Sequence, residues 1–164
     1  MGSRVAVLKN GLLVQVDPAQ TLYERPKNVF VATFIGSPAM NILDGMIAHE
    51  DGIVVDVEAG RVKVASSAAN GLREGTKVKL GVRPEHVQLI PRSGTHSAGL
   101  TGTVTLVESL GDEAIVTLVV GSVSIKAKVI GPCPFRDGDE LTAFFDQQSV
   151  HLFDAVTEER VAMA

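Results

Sequence analysis

The sequence is short of the residues from which several kinds of protein are built. Among 164 residues it has one cysteine, no tryptophan, one tyrosine and six phenylalanines. With Cys133 alone, no internal disulfide can form, which suits a reducing compartment. Cys133 lies between two prolines in "GPCPF", with no basic neighbour closer than Arg136, which is not the setting of a reactive thiol. No apolar run approaches the roughly 20 residues of a membrane span, and the start lacks the basic-then-apolar pattern of a signal peptide. Basic charge is not in excess either: 15 Lys and Arg stand against 19 Asp and Glu, a net charge of −4. Nucleic-acid binding needs a basic footprint, and single-strand binding needs stacked aromatics along it. Neither is present, and no nucleic-acid partner is expected.

Motifs for site chemistry are also missing. His49, His86, His96 and His151 show none of the spacings that hold a metal. "GLREG" (71–75) has two glycines but no G-K-[ST], and "ESLGDEA" (108–114) has no basic residue with which to cradle phosphate. No two acids stand out as a hydrolase pair; Glu85 and Glu113 are no better placed than others. The residues thus nominate no catalytic, cofactor or metal site.

What is present is 45% hydrophobic residues, enough for one ordinary domain or two small ones. Met1-Gly2-Ser3 reads as a tag remnant. Next, "RVAVLKNGLLVQV" has two apolar runs joined by Asn10-Gly11, the strongest short hairpin signal. "DPAQTLYERP" predicts a short helix with Asp17 as N-cap, Pro18 at the first position, Gln20 completing a capping box, and Pro26 as the stop. A second short helix is expected after Asn28, with Phe30, Val31, Phe34 and Ile35 on one face and an end at Gly36. So apolar a segment, with so little structure, reads as an edge that packs on something larger. From Met40 onward short Val-, Ile- and Thr-rich runs recur between turn signals, which predicts a mainly β body of small barrels or a sandwich.

The β region repeats itself. "EGTKVKLGVRPEHVQLI" (74–90) aligns without gaps on "DGDELTAFFDQQSVHLF" (137–153), "LDGMI" (43–47) on "LTGTV" (100–104), and "RVKV" (61–64) on "SIKA" (124–127). The offset grows from 57 to 63, placing about six extra residues near "SLGDE". Two copies of a five-stranded unit, about 43–90 and 100–153, are expected. "RPEH" (83–86) is polar enough to suggest an active site, yet its counterpart is "DQQS" (146–149). The copies share a polar link followed by Val-x-Leu, not a set of charges. Pro84 suits a turn and pushes Arg83 toward extended backbone, with Arg83 as a local hydrogen-bonding anchor for strand ends. "HEDG" (49–52) reads as a hairpin tip, and Phe144-Phe145 as core.

"RVAVLKNGLLVQVDPAQTLYERPKNVFVATFIGSPAMNIL" (4–43) resembles the end of the ATPase domain in carbohydrate-importing ABC transporters. "GVRPEHVQLI" and "SVHLFDAVTEERV" resemble the regulatory domain that follows it, in the maltose/maltodextrin and sn-glycerol-3-phosphate importer group. The resemblance implies two OB-like small β-barrel units, called a transport-associated OB (TOBE) domain, after a hairpin and two short helices. Residues 1–38 would be the tail of the ATPase domain and 39–164 the regulatory domain. No Walker A, signature or Walker B motif is present, so a non-catalytic fragment is expected, with ATP and Mg belonging to the full-length parent. The implied partners are a second copy in the ATPase dimer, the membrane subunits through the ATPase domain, and an inhibitory regulatory protein. The implied place is the cytoplasmic face of the membrane. Arg83, Glu85 and His86 are the candidate regulatory contacts. An alternative is a small-oxyanion-sensing module, with Lys77, Lys79, Arg83, Lys126 and Lys128 converging between the barrels.

Overall fold

The computed structural model describes residues 3–69, 71–92 and 99–161. Met1, Gly2 and His96 lie outside the described residues. Strands β1 (Arg4–Lys9) and β2 (Leu12–Pro18) form an antiparallel hairpin with Asn10 at φ 52° and Gly11 at φ 78°. Positive φ at both central residues matches the right-handed twist of the flanking strands, as Asn-Gly predicts.

Two six-residue helices follow, α1 (Ala19–Glu24) and α2 (Val29–Phe34). The cap expected at Asp17 does not form. β2 runs on through Pro18, which takes the N-cap position without a side-chain bond, while Asp17 pairs with Val5 and accepts from Gln15 Nε2 at 2.9 Å. Gln20 donates to Glu24 at 2.8 Å instead of closing a box. Asn28 does cap α2, its Oδ1 accepting from the Val31 amide at 3.0 Å. The expected apolar face is also different: Phe34 is 63% exposed, and Val31 and Ala32 are the buried pair. α2 is wedged between two neighbours, which sets its burial. Val31 packs with Val7 and Leu22, and Ala32 with Met40 and Phe153.

The β body comprises β3 (Asn41–Glu50), β4 (Gly52–Val57), β5 (Gly60–Val64), β6 (Lys77–Val82) and β7 (Val87–Pro91), then β8 (Leu100–Ser109), β9 (Glu113–Val120), β10 (Val123–Ile130), β11 (Glu140–Phe145) and β12 (His151–Asp154). Two five-stranded sheets result, in the orders β5-β4-β3-β6-β12 and β10-β9-β8-β11-β7. The duplication is therefore visible in the topology, with one addition that the repeat did not announce. Each copy supplies four strands to its own sheet and gives its last strand to the other. Register obeys the repeat: His151 opposes Gly81 in one sheet, and Gln88 opposes Phe144 in the other. A continuous core joins both halves through Leu43, Ile47, Val55 and Leu80 on one side and Leu100, Leu118, Ile125 and Leu141 on the other.

The glycine shared by "LDGMI" and "LTGTV" has a packing cause. β3 pairs with β6 over 41–46 and with β4 over 45–50, so Gly45 lies where both neighbours press on it. A Cβ there would sit 2.9 Å from Asp56 O. Gly102 occupies the same place in β8, between β11 and β9.

Candidate functional site

Pro84 opens a 3-10 turn, Pro84–His86, and Arg83 before it is extended at φ −71°, ψ 144°. The matching turn, Gln147–Ser149, is built with different chemistry. Asp146 stands at the position of Arg83 and caps the turn, accepting from the Gln148 amide at 3.1 Å and the Ser149 hydroxyl at 2.7 Å. The Ser149 bond, chiefly, holds the Asp146 carboxyl below its usual range. The two turns meet, the Asp146 amide donating to the His86 carbonyl at 3.3 Å.

Arg83 is 1% exposed and reaches away from its own strand. Nη1 donates to the carbonyls of Ala32 at 3.0 Å and Ile35 at 2.6 Å, and Nη2 to that of Tyr23 at 2.8 Å. The guanidinium lies 3.9 Å from the centre of the Tyr23 ring. Those carbonyls belong to the last turns of α1 and α2, where helix C=O groups have no intrahelical partner and the helix end is partly negative. Burial lowers the Arg83 pKa to about 10, so it is still a cation at neutral pH. Gly36 makes room for it: φ is +116°, and a Cβ would stand 2.9 Å from Arg83 Nη1. Arg83 is thus an anchor, but for the helical lead-in and not for strand ends.

Of the three candidate contacts, Glu85 and His86 reach the surface and Arg83 is withdrawn from it. Glu85 and His86 line an open groove of about 590 Å³ with Lys128, Phe135, Phe144, Phe145 and Asp146. The two phenylalanines, expected in the core, are half-buried on its wall, and Phe145 also packs against the core. The five cations of the oxyanion alternative are spread over both sheets. Lys79 is bonded to its cross-strand partner Asp44 at 2.8 Å and Lys128 to Glu113 at 2.7 Å, pairings that raise both lysine pKa values. Among the described residues no group of three or more His, Cys, Asp or Glu is placed to hold a metal ion.

His151 and Tyr23 were not singled out from sequence; nothing local to either signals its role. His151 is half-buried, and burial, then Arg160, Arg83 and His86, lower its pKa to about 4. Its folded form therefore prefers to be neutral, while in the unfolded chain it protonates near 6.5. Stability from this group is complete above about pH 6.5 and lost as pH falls toward 4, by up to about 1.4 kcal/mol per pH unit. Urea midpoints measured across this window in a buffer without phosphate should fall with acid for the native chain and fall less for His151→Gln. Parallel slopes would remove His151 as the cause.

A profile describing the MalK OB fold domain matches residues 36–87, and one describing the TOBE domain matches residues 80–153. The trehalose/maltose import ATP-binding protein of Thermococcus litoralis is 36% identical over 168 residues, covering 98% of this chain and 45% of that protein. The oligosaccharides import ATP-binding protein of Bacillus subtilis is 33% identical, covering 98% and 45%. An sn-glycerol-3-phosphate import ATP-binding protein of Chromobacterium violaceum is 34% identical, covering 100% and 43%. A crystal structure of the cytoplasmic molybdate-binding protein ModG superposes with a TM-score of 0.59 at 21% identity, over 68% of this chain and 94% of that one, a likeness of fold. Paired OB-like sheets carrying these two profiles define a transport-associated OB module. The chain carries the MalK OB fold and TOBE domains over residues 36–153, and the curated relatives that match almost all of it are named as import ATP-binding proteins. It spans less than half the length of the curated relatives it matches.

Proposed function

We propose that this chain is the regulatory and dimer-holding part of the ATP-binding subunit of a sugar or glycerol-3-phosphate importer. The observation that carries the reading is the Arg83 joint, one buried cation gripping the ends of two helices from the β body. Residues 1–38 are then the tail of the ATPase domain and 39–164 the regulatory domain, and a movement of either reaches the other through Arg83. The hairpin supports the division, because Val5, Leu8, Leu12, Leu13 and Val16 are exposed on it, with Phe34 nearby in sequence on α2. Such a face belongs against another apolar surface, and we assign it to the ATPase domain of the parent. Among the described residues no helix is long and apolar enough to cross a membrane. We assign attachment to the cytoplasmic face to that domain and the membrane subunits. The chain itself is non-catalytic; ATP and Mg act in the parent. Exposed Glu85 and half-buried His86 are the residues offered to an inhibitory protein.

The test compares the chain, the full-length subunit, and the subunit lacking 39–164. The isolated chain should give no saturable signal with a fluorescent ATP analogue, whereas the full-length subunit does. Removing 39–164 should weaken the nucleotide-free dimer by about tenfold or more in sedimentation, a change of about 1.4 kcal/mol. Tight nucleotide binding by the chain, or unchanged self-association of the truncated subunit, would refute this assignment.

A further inference from the structure

Four buried side-chain atoms among the described residues have no hydrogen-bond or ion-pair partner, and three belong to neighbouring residues: Arg83 Nε, His86 Nδ1 and His151 Nδ1. Their residues line the same cavity of about 170 Å³, together with Tyr23, Glu24 and Ser149. One unpaired buried polar atom carries a desolvation penalty, and three on residues lining one cavity ask for a shared partner. Arg83 Nε can only donate, and each imidazole nitrogen donates once protonated.

The surrounding charge favours the same kind of partner. Arg83 is held by carbonyls and a ring face at its Nη atoms, so its charge is not cancelled by a carboxylate there. Arg160, Arg83 and His86 all act on His151 in the sense that disfavours a further positive charge. On the other side stand Glu24, at the rim and bonded by Gln20, and Asp146, which faces His86 but is taken up by Ser149 and the Gln148 amide. The volume is below the roughly 300–1,000 Å³ of organic-ligand sites and suits a tetrahedral ion.

We propose that the cavity formed by Arg83, His86 and His151 binds a small oxyanion of the phosphate type. Its oxygens accept from Arg83 Nε and from the two imidazoles in the form that carries hydrogen on Nδ1, which for His151 is the neutral Nδ1–H tautomer. This place is separate from the lysine faces of the strands, and it lies where the lead-in, both 3-10 turns and β12 converge. Occupancy would therefore tighten the Arg83 joint. The inference does not depend on the importer assignment.

The experiment is an NMR titration of the imidazole carbon-bound protons with inorganic phosphate at constant ionic strength, on the chain as it stands. His86 and His151 should shift together, saturably and with one dissociation constant. His151→Gln, which is close to isosteric, should weaken binding about tenfold or more, the usual worth of a hydrogen bond to a charged group. Glu24→Gln removes a repelling carboxylate and should tighten binding about two- to fivefold. That variant touches no core residue and keeps the test decisive if His151→Gln fails to fold. No saturable shift at millimolar phosphate, or an affinity indifferent to Glu24→Gln, overturns the proposal.

Discussion

Arg83→Gln should detach the first 38 residues from the β body while leaving the two sheets paired. The native side chain satisfies three carbonyls at the ends of α1 and α2, at 2.6 to 3.0 Å, and covers the Tyr23 ring. Glutamine is shorter and cannot reach all three, so at least two buried acceptors lose their donor. At the usual penalty for unsatisfied buried groups this costs about 3 kcal/mol or more. Lysine is not expected to restore it, since one ammonium on a flexible stem cannot present the planar fork that spans two helix ends. Arg25 and Lys27 are exposed on the link between the helices, which makes trypsin a direct reporter. Cleavage there should accelerate in Arg83→Gln well before the β body yields to urea. Native resistance to trypsin in the variant would mean that the clusters around Val31 and Ala32 hold the lead-in without the cation.

The second large effect is expected at Gly102. Its φ is not in the left-handed region, so alanine suits the backbone and only space decides the outcome. A Cβ would collide with the Val119 carbonyl and stand 2.7 Å from Val120 Cγ2. The first obstacle is backbone of the paired strand and cannot rotate aside. Gly102→Ala must therefore part β8 from β9 or bend β8 the other way, at about 3 kcal/mol. Gly131→Ala is the informative control, with nothing within 4 Å of its Cβ but φ at +83°, and a cost of about 1 kcal/mol. Urea unfolding with an unchanged m-value should rank the two in that order. Equal midpoints would place the constraint in conformation and not in the strand crossing.

Much of this was legible because the chain says most things twice. The repeat located the strands, anticipated that "RPEH" and "DQQS" would be equivalent turns, and placed the six extra residues in the β8–β9 hairpin, around residues 110–112. The Asn-Gly turn and the Asn28 cap were readable because each is decided within four residues. Asp17 was misread for the converse reason: its cap competes with continuation of β2, a matter of pairing with Val5. Phe34 was misplaced because a periodic pattern assumes one buried face, whereas α2 is pinched from two directions. The role of Arg83 was hidden by distance, its bonding partners lying 48 to 60 positions away. The pocket was hidden likewise, since His86 and His151 come from opposite copies. No local pattern reveals which sheet a terminal strand will join, because both sheets offer it an equivalent edge.

That shared edge bears on where the molecule came from. A lone ancestral unit, built like either half, would have had a four-stranded sheet with an open side and a fifth strand projecting from it. Two such chains could complete each other by trading those strands about a two-fold axis. Tandem duplication would then have joined an already interlocked pair into one polypeptide. On this history the polar turn at 83–86 began as a symmetric crossing point. It became asymmetric only when one copy took up an arginine and turned outward to hold a neighbour.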